Sequence, residues 1–330
     1  MLPLPDFEWL APTTLADLVR ALGEHPTDTL LLAGGTDLLP NLKHGLHAPK
    51  RVIGLRRVRE LSLIEESADG ALTLGSGVTL DALANDPRIL ARYPALARAA
   101  SLVASPQLRR MGTLGGNLCL DTRCAYINQS AFWRGALGGC LKRDGDVCHV
   151  VPQGKRCVAA FSADTPAPLI TYDATVELVS VRGARTLPVA KLFGGDGVKN
   201  HVREADEVLT RVTLPAPARG LRSAYEKLRA RQAIDFPLLS IAAALTVGDD
   251  EVVTDIRLVV GALGALPRVV RKLEAHVGKP VSPELFDELA RAAHTQCHPL
   301  SSLGAEAWRQ DVVAPMVKRT LAALRASTRE

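Results

Sequence analysis

Residues 29–38 read Thr29-Leu30-Leu31-Leu32-Ala33-Gly34-Gly35-Thr36-Asp37-Leu38, a short apolar run that stops at two adjacent glycines and a threonine. The run 29–33 predicts a strand, and the residues after the glycines predict a helical turn. That order is the one a phosphate-binding loop requires, because glycine lets backbone N–H groups approach an anion and Thr36 adds a hydroxyl donor. An ordinary tight turn has the same composition. The loop matches neither GxGxxG nor GxxxxGK[ST], so the dinucleotide fingerprint and the P-loop are not supported.

A second stretch, Gly112-Thr113-Leu114-Gly115-Gly116-Asn117, has a similar make-up about 80 residues further on. Two such loops in one domain suit a ligand with two phosphates, such as a dinucleotide. Around them, Leu15, Leu18, Val19 and Leu22 stand at helical spacing behind a capping box of Thr14 and Asp17. A strand is expected over 51–55, and a hairpin pairs 61–66 with 71–75 through Asp69-Gly70. Helical patterns fill 79–104. Further strands are expected over 174–181 and 207–214, the latter ended by Pro215-Ala216-Pro217, and a pair over 239–247 and 252–261 turns at Gly248-Asp249-Asp250. The tail reads as helices over 282–293 and 311–326, the second with Val313, Met316, Val317, Thr320, Leu321 and Leu324 on one face. The class is mixed α+β, and the proline pair with Gly220 marks a possible boundary.

Composition narrows the function. A chain of 330 residues suggests about two domains with a real hydrophobic core. With 47% apolar and 23% charged residues it is neither disordered nor collagen-like. No apolar run reaches the roughly 18 residues of a membrane span. The start, MLPLPDFEWLAP, does not resemble a secretory signal, so a reducing cytoplasm is expected. The net charge of +5 raises nucleic-acid binding. Basic residues are nevertheless scattered, and only 4% of residues are aromatic, so platforms for stacking bases are scarce. An anionic ligand or acidic partner accounts for the excess better. No HExxH or GxSxG motif occurs, and Asp164 and Asp235, each near a proline, read as turn residues.

The cysteines are the most unusual feature. Five of six, Cys119, Cys124, Cys140, Cys148 and Cys157, fall within 39 residues, and only Cys297 stands apart. The stretch 124–160 sustains no period and is broken by glycines, so it reads as a long loop excursion of the functional or metal-held kind. In a reducing compartment such a cluster favours metal over disulfides. The spacing lacks the close pair of a structural zinc site and the short gaps of ferredoxins, so it names no metal. Buried thiols without metal remain open. Cys119 abuts the second glycine loop, which makes the cysteines of the excursion the better ligand candidates.

Together, Ala33-Gly34-Gly35-Thr36-Asp37-Leu38-Leu39-Pro40, Thr113-Leu114-Gly115-Gly116-Asn117-Leu118, Asp164-Thr165-Pro166-Ala167-Pro168-Leu169 and Asp235-Phe236-Pro237 resemble the FAD subunit of the xanthine dehydrogenase family of molybdenum hydroxylases, across essentially the whole chain. Within the excursion, Asn117-Leu118-Cys119-Leu120-Asp121-Thr122-Arg123-Cys124, Asn128-Gln129-Ser130 and Cys148-His149-Val150 resemble the β subunits of 4-hydroxybenzoyl-CoA reductases, whose insertion carries an extra 4Fe–4S cluster.

The resemblance implies a PCMH-type FAD-binding domain of two lobes over 1–218, with a 4Fe–4S insertion at about 120–160, and a smaller C-terminal α+β domain of sheet and helices over 219–330. It implies FAD contacts from Leu31, Leu32, Ala33, Gly34, Gly35, Thr36, Asp37, Leu38, Thr113, Leu114, Gly115, Gly116 and Asn117, completed by Val103, Asp164 and Lys227. Cluster ligands would be Cys124, Cys140, Cys148 and Cys157, with no catalytic residue on this chain. Implied partners are a large molybdenum-cofactor subunit and a small 2Fe–2S subunit in a dimer of heterotrimers. Electrons from a ferredoxin-like donor would pass through cluster and FAD to the molybdenum site, where 4-hydroxybenzoyl-CoA becomes benzoyl-CoA during anaerobic aromatic degradation. The alternatives are an FAD subunit of a xanthine, N-heterocycle or aldehyde dehydrogenase and, more distantly, a zinc-stabilised interaction protein.

Overall fold

The strand expected after residue 28 forms over Thr29–Leu32 (β2) and lies in a small parallel sheet with Glu8–Leu10 (β1) and Arg51–Gly54 (β3), in the order β1-β3-β2. The computed structural model describes residues 3–299 and 308–326. The helix Leu15–Glu24 begins as anticipated, the Thr14 hydroxyl accepting from the Asp17 N–H at 3.1 Å, and buries Leu18, Val19 and Leu22 against Ile53, Val58 and Leu61.

The second lobe is an antiparallel sheet of Ile64–Glu66 (β4), Leu72–Gly75 (β5), Thr175–Ser180 (β6), Gly183–Pro188 (β7) and Val208–Leu214 (β8), in the order β4-β5-β8-β6-β7. The anticipated hairpin forms, but its first strand is shorter, because 59–62 winds into a 3-10 turn that places Leu61 in the core. The helical region 79–104 divides into Leu80–Asn85, Pro87–Arg92 and Pro94–Ser101. A proline opens each of the last two helices, where its missing N–H costs nothing.

In the C-terminal sheet, Leu221–Leu228 (β9), Leu239–Val247 (β10), Val253–Gly261 (β11) and Arg268–Val269 (β12) run antiparallel in the order β12-β11-β10-β9. β10 is buried on both faces. Ile241, Ala243 and Leu245 meet the helices Pro283–Gln296 and Val313–Ala326, whereas Ala242 belongs to the core of the second lobe. Alternation along a strand assigns these two faces, and a small alanine allows the lobe to approach closely. Val313, Met316, Val317, Thr320, Leu321 and Leu324 are all buried, as the helical pattern requires. β8 and β9 belong to different sheets and are joined through Pro215-Ala216-Pro217 and Gly220, a connection that contains the expected 218/219 boundary.

Leu289 is fully buried at the centre of the C-terminal core. Leu289→Ala should lower unfolding stability by about 2–5 kcal/mol through lost burial and a residual cavity. Val181, 62% exposed, should tolerate alanine within about 0.5 kcal/mol. Urea denaturation followed by circular dichroism separates the two.

Candidate functional site

The two glycine loops come from different lobes and touch. Gly34 lies so close to Met111 that a Cβ would overlap the Met111 carbonyl, and Gly35 is left-handed at φ +72°. Only glycine satisfies both demands. The second loop is bound to the segment after β5: the Gly115 N–H donates to Ser76 O (2.8 Å), Leu114 N–H to Val78 O (2.9 Å) and Leu80 N–H to Gly112 O (2.9 Å). A Cβ on Gly115 would stand 2.7 Å from Ser76 Cβ. The Thr113 hydroxyl accepts from the Gly116 N–H at 3.1 Å and holds the turn into the helix Leu114–Leu118. Between the loops opens a cavity of about 790 Å³, large enough for a dinucleotide-sized ligand.

Leu31, Ala33, Gly34, Gly35, Thr36, Asp37, Leu38, Val103, Thr113, Gly115, Gly116, Asn117 and Asp164 line this cavity. Leu32, Leu114 and Lys227 do not. Leu114 is fully buried in the core of the second lobe, because the short helix that follows Thr113 turns its side chain inward. Asn117 serves the scaffold: its Oδ1 accepts from the Thr165 hydroxyl (2.7 Å) and N–H (3.0 Å).

Lys227 lies behind the lining, with its side chain 1% exposed, and Nζ donates to Asp164 Oδ2 (2.9 Å) and Leu102 O (3.1 Å). Tyr225, two residues away on the same face of β9, donates its hydroxyl to Asp164 Oδ1 at 2.7 Å. Burial pushes the Asp164 carboxyl up and the Lys227 ammonium down, and their mutual attraction opposes both. Two donors on the carboxylate favour the ion pair, which ties the C-terminal sheet to the cavity. Asp164, read from its Pro context as a turn residue, is therefore a buried charge.

Several further lining groups are given no contact role by the sequence. Arg123 reaches Asp37 in the first loop and donates to Asn41 Oδ1 at 3.2 Å. Its guanidinium also lies 5.6 Å from the centre of the Phe236 ring, itself part of the lining. Burial raises the Asp37 carboxyl, and Arg123 works against that shift. His201 donates its Nε2–H to Leu118 O at 2.9 Å, and burial pulls it down to about 4. Asp235 keeps its turn role, accepting from the Arg231 N–H at 2.9 Å.

Beside this cavity lies the excursion. Its base is closed by Arg123 and Ala160, which exchange backbone hydrogen bonds of 2.7 and 2.8 Å, and its one helix among the described residues is Ala131–Ala136. Cys124, Cys140, Cys148 and Cys157 all line a second, apolar cavity of about 20 Å³, while Cys119 lines the large one. The Tyr126 and Ile127 N–H groups donate to the Cys124 sulfur, and the Ala159 N–H donates to that of Cys157; burial still pushes both thiols up. Tyr126 stacks on His149, with ring centres 4.9 Å apart, and His149 Nε2 stands 2.6 Å from Gly139 O. Among the described residues no group of three or more His, Cys, Asp or Glu is placed to hold a metal ion, so the metal site expected at Cys124, Cys140, Cys148 and Cys157 is not shown by their placement.

Lys227→Met would leave the Asp164 charge buried and unpaired, lowering stability by about 3–5 kcal/mol. The double variant Lys227→Met/Asp164→Asn should recover part of that loss in a urea double-mutant cycle. His201 has an ordinary pKa of 6.5, lowered to about 4 in the fold. Between these values the unfolded chain binds a proton that the folded chain does not, so stability falls as pH drops from 6.5 towards 4. His201→Gln should flatten that part of a stability–pH profile.

Residues 5–217 match the family model described as the FAD binding domain in molybdopterin dehydrogenase, and residues 223–324 match the CO dehydrogenase flavoprotein C-terminal domain. The chain is 30% identical over 325 residues to the carbon monoxide dehydrogenase medium chain of Hydrogenophaga pseudoflava, covering 97% of each. It is 28% identical over 294 residues to the nicotinate dehydrogenase FAD-subunit of Eubacterium barkeri, covering 88% of this chain and 86% of that one. A solved structure of the Hydrogenophaga pseudoflava carbon monoxide dehydrogenase, lacking the Mo-pyranopterin moiety of its molybdenum cofactor, superposes with a TM-score of 0.80 at 28% identity, covering 98% of this chain and 99% of that one. The chain belongs to the FAD-binding medium subunits of the xanthine dehydrogenase and CO dehydrogenase family of molybdenum hydroxylases.

Proposed function

We propose that this chain is the FAD- and 4Fe–4S-carrying electron-transfer subunit of a 4-hydroxybenzoyl-CoA reductase, with its flavin domain over 1–218 and its C-terminal domain over 219–330. The observation that carries the reading is the convergence of Cys124, Cys140, Cys148 and Cys157 on one small apolar cavity next to the flavin site. The donor set fits a 4Fe–4S cluster better than a single ion. Each thiolate of a cluster takes a different iron, so the four sulfurs stand farther apart than ligands sharing one ion. Backbone N–H donors at the sulfurs of Cys124 and Cys157 suit thiolates held away from water.

FAD supplies the chemistry that joins one-electron and two-electron transfer. The chain's residues bind and orient it: the glycines of both loops bring backbone to the cavity wall, Thr36 and Thr113 add hydroxyls, and Asp164, held by Lys227 and Tyr225, gives the wall a fixed negative charge. When bound, the cluster would supply one-electron transfer, and the excursion gives its site an apolar lining. No residue of this chain is assigned as acid, base or nucleophile towards the thioester. A large molybdenum subunit, a small 2Fe–2S subunit and a ferredoxin-like donor complete the proposed system in the cytoplasm.

A second reading has its own support. The relatives' names mention nicotinate, xanthine and aldehyde, so a subunit serving oxidation of an N-heterocycle, purine or aldehyde would use the same flavin machinery. Substrate profiling of the assembled complex separates the two, since only the reductase releases benzoyl-CoA.

Anaerobically purified protein should contain about four iron and four sulfide per chain, with an electron paramagnetic resonance signal after reduction. Cys140→Ser and Cys148→Ser should lose most of the iron while keeping flavin. A flavin-bearing, iron-free wild type would contradict the cluster, and bound zinc would support the zinc alternative.

A further inference from the structure

Lys142 is the one residue of the excursion whose ammonium is buried between the two cavities. Its side chain is 9% exposed. It lines the cysteine cavity, yet Nζ reaches back to the base of the excursion, donating to Asp121 Oδ1 (2.6 Å), Thr122 Oγ1 (2.5 Å) and Gly197 O (2.7 Å), with Thr122 O at 3.3 Å. Two of these acceptors lead to the two sites. Gly197 packs against the Cys157 sulfur so closely that a Cβ would stand 2.7 Å from it, and its N–H donates to Cys157 O at 2.8 Å. Asp121 lines the flavin cavity. Lys142 and Asp121 therefore form an ion pair between a residue that lines the cysteine cavity and one that lines the flavin cavity. The ammonium's charge is felt at the Cys157 sulfur, and the Asp121 carboxylate acts on Asp37, His47 and His201 around the large cavity.

The ends of the excursion are also joined by the Arg123–Ala160 backbone bridge. A lysine ammonium removed from water costs several kcal/mol unless its acceptors compensate. What it adds is a fixed positive charge beside a site whose charge changes on reduction. We propose that Lys142 is a positioning residue that raises the reduction potential of the cluster held by Cys124, Cys140, Cys148 and Cys157, with Asp121 as the counter-charge that limits the effect. This rests on the cluster reading above. The couple is a single electron taken up from a low-potential one-electron donor, with no bond broken and no proton moved. The reduced cluster carries one more negative charge, and a nearby ammonium in a low-dielectric site stabilises that form.

The test is a dithionite titration of the anaerobically purified full chain, with the reduced cluster followed by electron paramagnetic resonance and iron measured in each sample. Lys142→Met should lower the reduced-to-oxidised ratio about tenfold at a fixed potential, a shift of about 59 mV for a one-electron couple, to a more negative midpoint. Lys142→Arg, which keeps the charge, should stay near the wild type. Asp121→Asn should shift the midpoint the other way, because it removes the counter-charge. Unchanged midpoints in Lys142→Met and Asp121→Asn, with iron retained, would overturn the role of Lys142, as would a shift in Lys142→Arg equal to that in Lys142→Met, which would make packing the cause. If Lys142→Met loses its iron, Asp121→Asn decides alone. A wild type without iron would overturn the cluster reading itself, which these outcomes keep distinct.

Discussion

The absence of a side chain at Gly34 is the constraint on which the site depends. Because nothing separates its α-carbon from the Met111 carbonyl, the loop after β2 and the loop before the helix Leu114–Leu118 meet, although they belong to different sheets. Both loops line the large cavity, with Thr36 and Thr113 in its wall. The other contacts reinforce this arrangement. Ser76 and Val78 hold the second loop by its backbone, and the Asp164–Lys227 pair joins the C-terminal sheet to the cavity from behind.

The excursion depends on the same frame. It leaves the chain six residues after Asn117 and returns four residues before Asp164, so both of its ends are anchored beside flavin-loop residues. Arg123 makes this attachment specific. It stands next to Cys124, pairs with Ala160 through its backbone and reaches Asp37 of the first loop with its side chain. The two cavities share no lining residue, but consecutive residues meet at their boundary, Arg123 lining the large cavity and Cys124 the small one. Family membership accounts for the flavin half; the excursion and its four cysteines are what separate this chain's proposed role from that of a general flavin subunit.

Much of this was legible in sequence, for a physical reason. A glycine pair, a capping threonine or an apolar stripe acts through its immediate neighbours, so the helix Leu15–Glu24, the hairpin at Asp69-Gly70 and the buried face of Val313–Ala326 all form where local pattern placed them. β9 was missed because Arg222, Glu226 and Lys227 interrupt its apolar alternation; their charges pair with Glu251, Arg319 and Asp164 from other elements. Leu114 was assigned to the flavin on the strength of its loop, but the turn sends it into the core. Lys142, Arg123 and the buried state of Asp164 were also hidden, since their partners lie 20 to 86 residues away along the chain. Long-range charge pairs leave no local periodicity to read.

The most direct test of two adjacent cofactor sites is a crystal structure of the anaerobically purified protein with anomalous scattering measured at the iron edge. A compact iron peak enclosed by Cys124, Cys140, Cys148 and Cys157, with flavin density running between Gly34–Thr36 and Thr113–Asn117, is the predicted result. Flavin density in that cavity with no anomalous signal among the four cysteines would contradict it.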